Sequence, residues 1–419
     1  MQQKSKRNLY VILIKSFVTA ALFTVFCYFV TNLGYSIAGE KTLVSKINKK
    51  IKDWGNSKTD VPDSVLLVNI SYDKELAPIN DADGFPMGDI DITNREALYT
   101  FLEILEQRND YKYVMIDVFF ADGIESPSDS ALFNKIASMP RVVIPRHRDA
   151  KLAHDSLLHN KAYISDYIVT NTSSGFGKYE LIAEGDTSIA LHMYKELTGH
   201  DVKKKGLLFY FDNGRLCNST LFSRQAINFS SPYNADGEKN FYNLSADLLM
   251  DTEDLLTTPL LKNKYIFVGA MEMVDIHSTA EGKLPGVVIT ANAFLGTMNG
   301  QHLVPILMIF IIFSILFIIS YQVYSGKTIA KWMTNKMEKM KIKTNPILWA
   351  YLLSWVSYMS ILSFVGIISY LIYGVIYDIF FTATLFQWID YLINNWSFIR
   401  NPSWKYIKDK VLEFTVSKL

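Results

Sequence analysis

Residues 303–324 read LVPILMIFIIFSILFIISYQVY, a run without one charged side chain. In lipid, a helix is the open-chain conformation that satisfies every backbone amide internally, and at 1.5 Å per residue this run covers a hydrocarbon layer of about 30 Å. Pro305 falls in the first turn, where proline costs least. A transmembrane helix is therefore expected at 303–324, and the rest of the chain has to be arranged around a bilayer.

Two other regions have the same character. Residues 8–31 are apolar apart from Lys15, whose amine can snorkel toward the basic end. A secretory signal would have a shorter apolar core and a small-residue cleavage site, which favours an uncleaved anchor. Between residues 347 and 399 there is no Lys or Arg, enough for two further spans, 347–370 and 374–393, with a break near Gly374. Basic residues cluster at Lys4, Lys6 and Arg7, through the loop 325–346 (Lys327, Lys331, Lys336, Lys339, Lys341, Lys343), and in the tail 394–419 (Arg400, Lys405, Lys408, Lys410, Lys418). Positive charge marks the cytoplasmic side. The expectation is a four-span protein of the cytoplasmic (inner) membrane, with residues 1–7, 325–346 and 394–419 inside and residues 32–302 forming an extracytoplasmic domain.

Composition narrows what that domain can be. The 419 residues include 42 Lys and Arg against 41 Asp and Glu, so no overall field recommends nucleic acid as a partner. The two cysteines, Cys27 in an apolar run and Cys217 alone in the polar middle, exclude a disulfide framework and a four-cysteine zinc site. Short apolar runs rich in β-branched residues at 65–70, 113–119, 141–144 and 264–268 read as buried strands. Helical patterns at 93–105, 128–137, 183–197 and 285–298 alternate with them, and Thr93 and Glu96 have the spacing of a capping box. Alternation of this kind argues for an α/β fold, a mixed sheet with flanking helices. Residues 207–216 and 224–229 look like hairpin material around Asp212, Asn213 and Gly214, while Leu43, Ile47, Ile51 and Trp54 recur at helical spacing among lysines.

The series VLLVNISYDK at 65–74, YVMIDVFFADG at 113–123 followed by Asp129, AINFSSPYN at 226–234, LSADLL at 244–249, LLKNKYIFVGA at 260–270, Asp275, and PGVVITANAFLGTMNG at 285–300 resembles, in this order, the CHASE2 family of bacterial extracytoplasmic sensor domains. The resemblance covers roughly residues 64–303, and an anchor before the domain with three spans after it looks like the family arrangement. It implies a sensor and receptor in signal transduction. The chain departs from the family pattern at 170–183, where TNTSSGFGKYELIA replaces an acidic, glycine-containing turn with an arginine. Family members commonly continue into a kinase or cyclase, which is not expected here, so the output is assigned to a separate membrane or cytoplasmic protein.

Asp73, Asp117, Asp122, Asp129 and Asp275 fall at or just beyond strand ends, where α/β sheets form ligand crevices. Such carboxylates suit a cation or an amine, or they cap helices and turns through backbone amides. Asp275 with His277 has the residue types of a hydrolytic or metal site, but no H-E-x-x-H or G-x-S-x-G element accompanies it. The glycines and lysine of 174–178 lack the phosphate-loop spacing. In the tail, Trp404, Ile407, Val411 and Phe414 form an apolar stripe for a membrane surface or a partner subunit.

The expected protein is a non-enzymatic sensor without cofactor or metal, holding an unknown extracytoplasmic ligand, with the lipid bilayer and an output protein as partners and a homo-oligomer left open. The alternatives are a scaffolding subunit of an envelope complex with no small ligand, and an ecto-hydrolase built on the aspartates. A cysteine introduced at Gly214 should react with an impermeant maleimide on intact cells; labelling only after permeabilisation would invert the topology.

Overall fold

The computed structural model describes residues 2–33, 61–80, 85–169, 176–183, 185–221, 227, 240–272, 274–279, 282–327 and 346–373, with a few positions between 332 and 388. Contacts divide the chain into two units, one of Asn32–Val304 with Tyr370–Val375 and one of the remaining residues.

The first unit is built on six strands: β1 (Val65–Asn69), β2 (Tyr113–Asp117), β3 (Val142–Arg146), β4 (Ala162–Ile164), β5 (Tyr242–Asn243) and β6 (Tyr265–Gly269). They run in the order β5-β1-β6-β2-β3-β4, and every pairing is parallel. A parallel sheet is covered on both faces, which is why its strands read as unbroken apolar runs. Side-chain alternation divides them. Leu66, Val68, Val114, Ile116, Val142, Ile144, Ile266 and Val268 pack with α2 (Arg95–Arg108) and α3 (Asp129–Ser138). Val65, Leu67, Tyr113, Met115, Val143 and Phe267 pack with α4 (Ile189–Thr198) and α5 (Gly286–Met298). The antiparallel pairing expected of a mixed fold lies in smaller sheets, including one of Thr220–Leu221, Phe176–Glu180, Ile276–Thr279 and Gly282–Pro285.

Local chemistry sets the helix ends, and it moves two expected boundaries. The cap of α2 is Asn94, whose side chain accepts from the Ala97 amide, while Thr93 closes the strand Pro86–Thr93. Asparagine satisfies an orphan donor of the first turn as well as threonine does, so the box starting at Thr93 is off by one residue. Helix α4 begins at 189 rather than 183, because Ile182–Ala183 and Asp186–Thr187 pair around Gly185 at φ 98° and Ser188 then caps the helix. Helix α5 is buried from Gly286 through Thr297, so its sequence is apolar all round.

The expected hairpin is present as Phe209–Asp212 and Arg215–Cys217, joined by Asn213 and Gly214 at φ 45° and 84°, with Val202–Lys205 as an unanticipated third strand. A second unanticipated hairpin pairs Lys74–Asn80 with Pro86–Thr93 between β1 and α2. Of 224–229 only Ile227 is described; the amphipathic segment 43–54, most of the loop 325–346 and the tail with Trp404, Ile407, Val411 and Phe414 lie outside the described residues.

In the other unit, α1 (Gln2–Thr31) packs on α6 (Ile306–Tyr324): Phe17 meets Phe313 edge to face at 5.2 Å between ring centroids, and Thr19 and Tyr324 share a 3.0 Å hydrogen bond. Within these helices Leu9–Thr31 and Ile306–Tyr324 are long and apolar enough to cross a membrane. Helix α7 (Pro346–Tyr373) carries the apolar segment Leu352–Ile368 where the third span is expected, and most of 374–393 lies outside the described residues. Two of the four expected spans thus meet the length and hydropathy criterion.

Gly269 closes β6 at a place with no room for a side chain. A Cβ there would stand 2.7 Å from Val287 Cβ on α5 and 3.1 Å from Asp117 Cβ on β2. Gly269→Ala should therefore destabilise the domain by about 1–3 kcal/mol through overpacking, read as a lowered thermal midpoint of the full chain in nanodiscs.

Candidate ligand crevice at the carboxyl ends of the strands

Because the six strands are parallel, their carboxyl ends lie on one edge of the sheet, and the first polar residues after each apolar run gather there. Asn69 ends β1, Asp117 ends β2, Arg146 ends β3 with His147 and Arg148 following, Asp166 follows β4, and after β6 come Glu272, Asp275 and, in the strand Ile276–Thr279, His277.

Asn69, buried among these, fixes the geometry. Its amide nitrogen donates to Asn243 Oδ1 at 2.8 Å and to Glu272 Oε2 at 3.2 Å, while its Oδ1 accepts from Ser71 Oγ at 2.7 Å and from the Met271 amide at 3.0 Å. One side chain thus ties the segments after β1, β5 and β6 together. With every donor and acceptor used, the network is stiff.

Asp117 sits in register with Gly269, partly buried, and forms no hydrogen bond or ion pair among the described residues. Burial pushes its carboxyl up to about 7; the Asp275 carboxylate adds to this, and His147 and His277 oppose it. Both imidazoles are already engaged. His147 Nδ1 is 2.9 Å from Asp166 Oδ1, and His277 Nε2 is 2.7 Å from Asp275 Oδ1. Those hydrogen bonds, acting before the opposing effect of burial, raise both histidines. The same contact with His147 holds Asp166 below the usual carboxylate range.

Beside this group, and sharing His147 with it, is an open depression of about 730 Å³ lined by Asp122, Arg146, Arg148, Lys151, His154 and Asp186 among others. That size suits a small molecule, and a lining this polar selects a polar one. Arg146 reaches Asp186 at 3.1 Å and Arg148 reaches Glu180 at 2.7 Å.

The six expected site residues are thereby separated. Asp117, Asp275 and His277 come together, and Asp122 lines the adjoining depression. Asp129 is elsewhere: its Oδ1 lies 3.2 Å from Nε of buried Arg95, its Oδ2 accepts from the Ser126 amide, and the guanidinium stacks 4.5 Å from the Phe120 ring. Asp73 accepts from the Ser245 amide at 3.2 Å and fastens the segment after β1. These two serve as cap and tie. His147, Arg146, Arg148 and Asp166 are the members sequence reasoning missed. The signal for the three basic residues was RHR directly after the apolar strand VVIP, the same strand-end rule that picked the aspartates. Among the described residues no group of His, Cys, Asp and Glu is arranged to hold a metal ion.

No match is found among curated proteins or solved structures. The CHASE2 domain profile, by contrast, matches residues 27–321, most of the chain and all six strands of the sheet. CHASE2 domains are extracellular sensor modules, and here the two membrane-compatible helices flank the α/β unit in sequence. The chain belongs to the CHASE2 domain family.

Proposed function

We propose that this CHASE2 chain is a membrane-anchored extracytoplasmic receptor whose small polar ligand sits at the carboxyl edge of β2, β3 and β6 and presents a positive charge or hydrogen-bond donor to Asp117. One observation carries the reading: Asp117 is a carboxylate with no partner among the described residues, raised toward neutrality at the end of a central strand while His147 and His277 beside it are paired. A side chain left in this state weakens the fold, and such compromises are characteristic of binding sites. A bound ammonium supplies the missing counter-charge, and the open depression accommodates the rest of the molecule. No step of chemistry is assigned to the site, since among the described residues no activated nucleophile accompanies the acids.

In this reading the ligand's differential affinity for two conformations is what passes inward, toward a separate output protein docked through the tail stripe of Trp404, Ile407, Val411 and Phe414. A second reading, a scaffold that docks protein rather than ligand, is favoured by the hairpin between β1 and α2. It leaves Leu76, Phe85 and Met87 each more than two thirds exposed.

The two separate in one experiment on the full chain in nanodiscs. Because its folded value is raised, Asp117 begins to destabilise the fold above the unfolded value of 3.8, and the effect is complete above about 7. At about 1.4 kcal/mol per unit the full effect is up to roughly 4 kcal/mol. Asp117→Asn should raise the thermal midpoint at pH 8, with only about a third of the gain left at pH 5. Small primary ammonium ions should stabilise the wild type at pH 8 and leave Asp117→Asn unmoved. Stabilisation by acetate instead, or equal response of both proteins, would overturn the ligand reading.

A further inference from the structure

Far along the chain from the crevice residues of β2 and β3, the domain holds a second titratable cluster that the sensor reading does not use. Asp212, at the end of the strand Phe209–Asp212, is buried and accepts three hydrogen bonds. Tyr194 from α4 donates to its Oδ2 at 2.8 Å, His302 Nε2 donates to the same oxygen at 3.0 Å, and His200 Nδ1 lies 2.9 Å from Oδ1. His302 and Asp212 are each 1% exposed at the side chain, whereas His200 is 37% exposed. Cys217, on the paired strand, is the other titratable group facing Asp212, and that carboxylate and burial together push its thiol up to about 12, burial being the larger cause.

The position of this cluster gives it a consequence. Strand Arg215–Cys217 and the two residues after it hold both places where the domain's chain continues into apolar helices. On one side the Val304 amide donates to the Leu216 carbonyl at 2.9 Å, the Asn218 amide donates to the His302 carbonyl at 2.8 Å, and Leu303 bridges Cys217. On the other, Asn32, the residue after α1, donates to Asn218 Oδ1 at 3.2 Å and accepts from the Ser219 amide and hydroxyl. His302 therefore bonds the hairpin twice, by its carbonyl and by its ring, two residues before Val304.

The ring is set to respond to a proton. With an ionised Asp212 as acceptor, His302 carries its hydrogen on Nε2, and Nδ1 is left buried without a well-formed hydrogen bond among the described residues. Burial lowers the affinity of His302 for a second proton, against the pull of Asp212 and the Thr297 backbone, and the partly exposed His200 adds repulsion. Burial works to raise Asp212, and the hydrogen bonds from Tyr194 and His302 more than offset it, holding the carboxylate below its ordinary range. A histidine lowered in the folded state contributes stability that is complete above its unfolded value of about 6.5 and is lost as the pH falls below it.

We propose that this cluster is a second binding site, whose ligand is the proton: the second proton goes to His302 Nδ1, which only an opened clasp exposes to water, so uptake loosens the hold of 215–219 on Asn32 and residues 302–304. Opening lets the imidazole reach water and accept its second proton with full hydration. The response belongs to the two segments that lead into the apolar helices, and it holds whether or not the crevice takes a ligand.

Amide hydrogen exchange of the full chain in nanodiscs, at pH 7.5 and 5.5 and corrected for intrinsic rates, tests this. Protection of 216–219 and 302–304 should fall by up to about tenfold for each pH unit below about 6.5, as for one linked proton, while α2 stays protected. His302→Gln keeps a donor toward Asp212 without titrating, so it should retain protection at pH 7.5 and lose the pH response. Unchanged protection in the wild type, or a wild-type response in His302→Gln, overturns the proposal. If His302→Gln is already open at pH 7.5, nitrogen-15 spectra of the wild-type ring decide. A neutral ring protonated at Nε2, charging over the range in which protection is lost, supports the proposal; a ring already charged at pH 7.5 overturns it.

Discussion

The parallel register of β1, β6 and β2 is the constraint on which the crevice depends. In that register Asn69, Gly269 and Asp117 fall in one row at the carboxyl edge, because each strand spends its preceding residues in a core closed on both faces. Gly269 then admits Val287 of α5 against the sheet beside Asp117. A side chain at that glycine would move the helix, the carboxylate or both. Packing and electrostatics are thus decided by the same few backbone positions.

The contrast between the aspartate that ends β2 and the one that opens α3 shows how environment assigns roles. Asp129 and Asp117 are both withdrawn from bulk water, yet Asp129 has the Arg95 guanidinium and a backbone amide, whereas Asp117 has only a repelling carboxylate and two histidines committed elsewhere. Breaking the first pair would strand a buried charge and cost about 3–5 kcal/mol, so it belongs to stability. Supplying a partner to the second would relieve the fold. That asymmetry, rather than the number of acids, distinguishes a site awaiting a ligand from a structural bridge.

Much of this architecture was legible because it depends on local chemistry. The four five-residue strands of the parallel sheet are apolar runs, and the Asn213 and Gly214 turn has its type written in two residues. Strand ends were legible to within a few residues, which found Asp117, Asp275 and His277 but also swept in Asp73 and Asp129. What separated them is tertiary: Arg95 and Ser245 are distant in sequence from the groups they satisfy. His147 lies within the basic run RHR after β3, and Asp166 follows a strand of only three residues, Ala162–Ile164, too short to read as an apolar run. The cluster of Tyr194, His200, Asp212 and His302 carries no motif at all, since three segments, the end of α4, a hairpin strand and the residues after α5, converge only in the folded domain. The hairpin between β1 and α2 was missed for another reason: its mixed exposure gives no clean alternation.

The account turns on Asp117 being poised between charged and neutral forms by burial and by Asp275. Carbon-13 carboxyl shifts of the full chain in nanodiscs, assigned through Asp117→Asn, measure this directly. The predicted result is a midpoint close to 7 for Asp117 that falls when Asp275 is replaced by asparagine, because one source of repulsion is then removed while burial remains. A carboxyl that titrates near the ordinary 3.8, with or without Asp275, would contradict it.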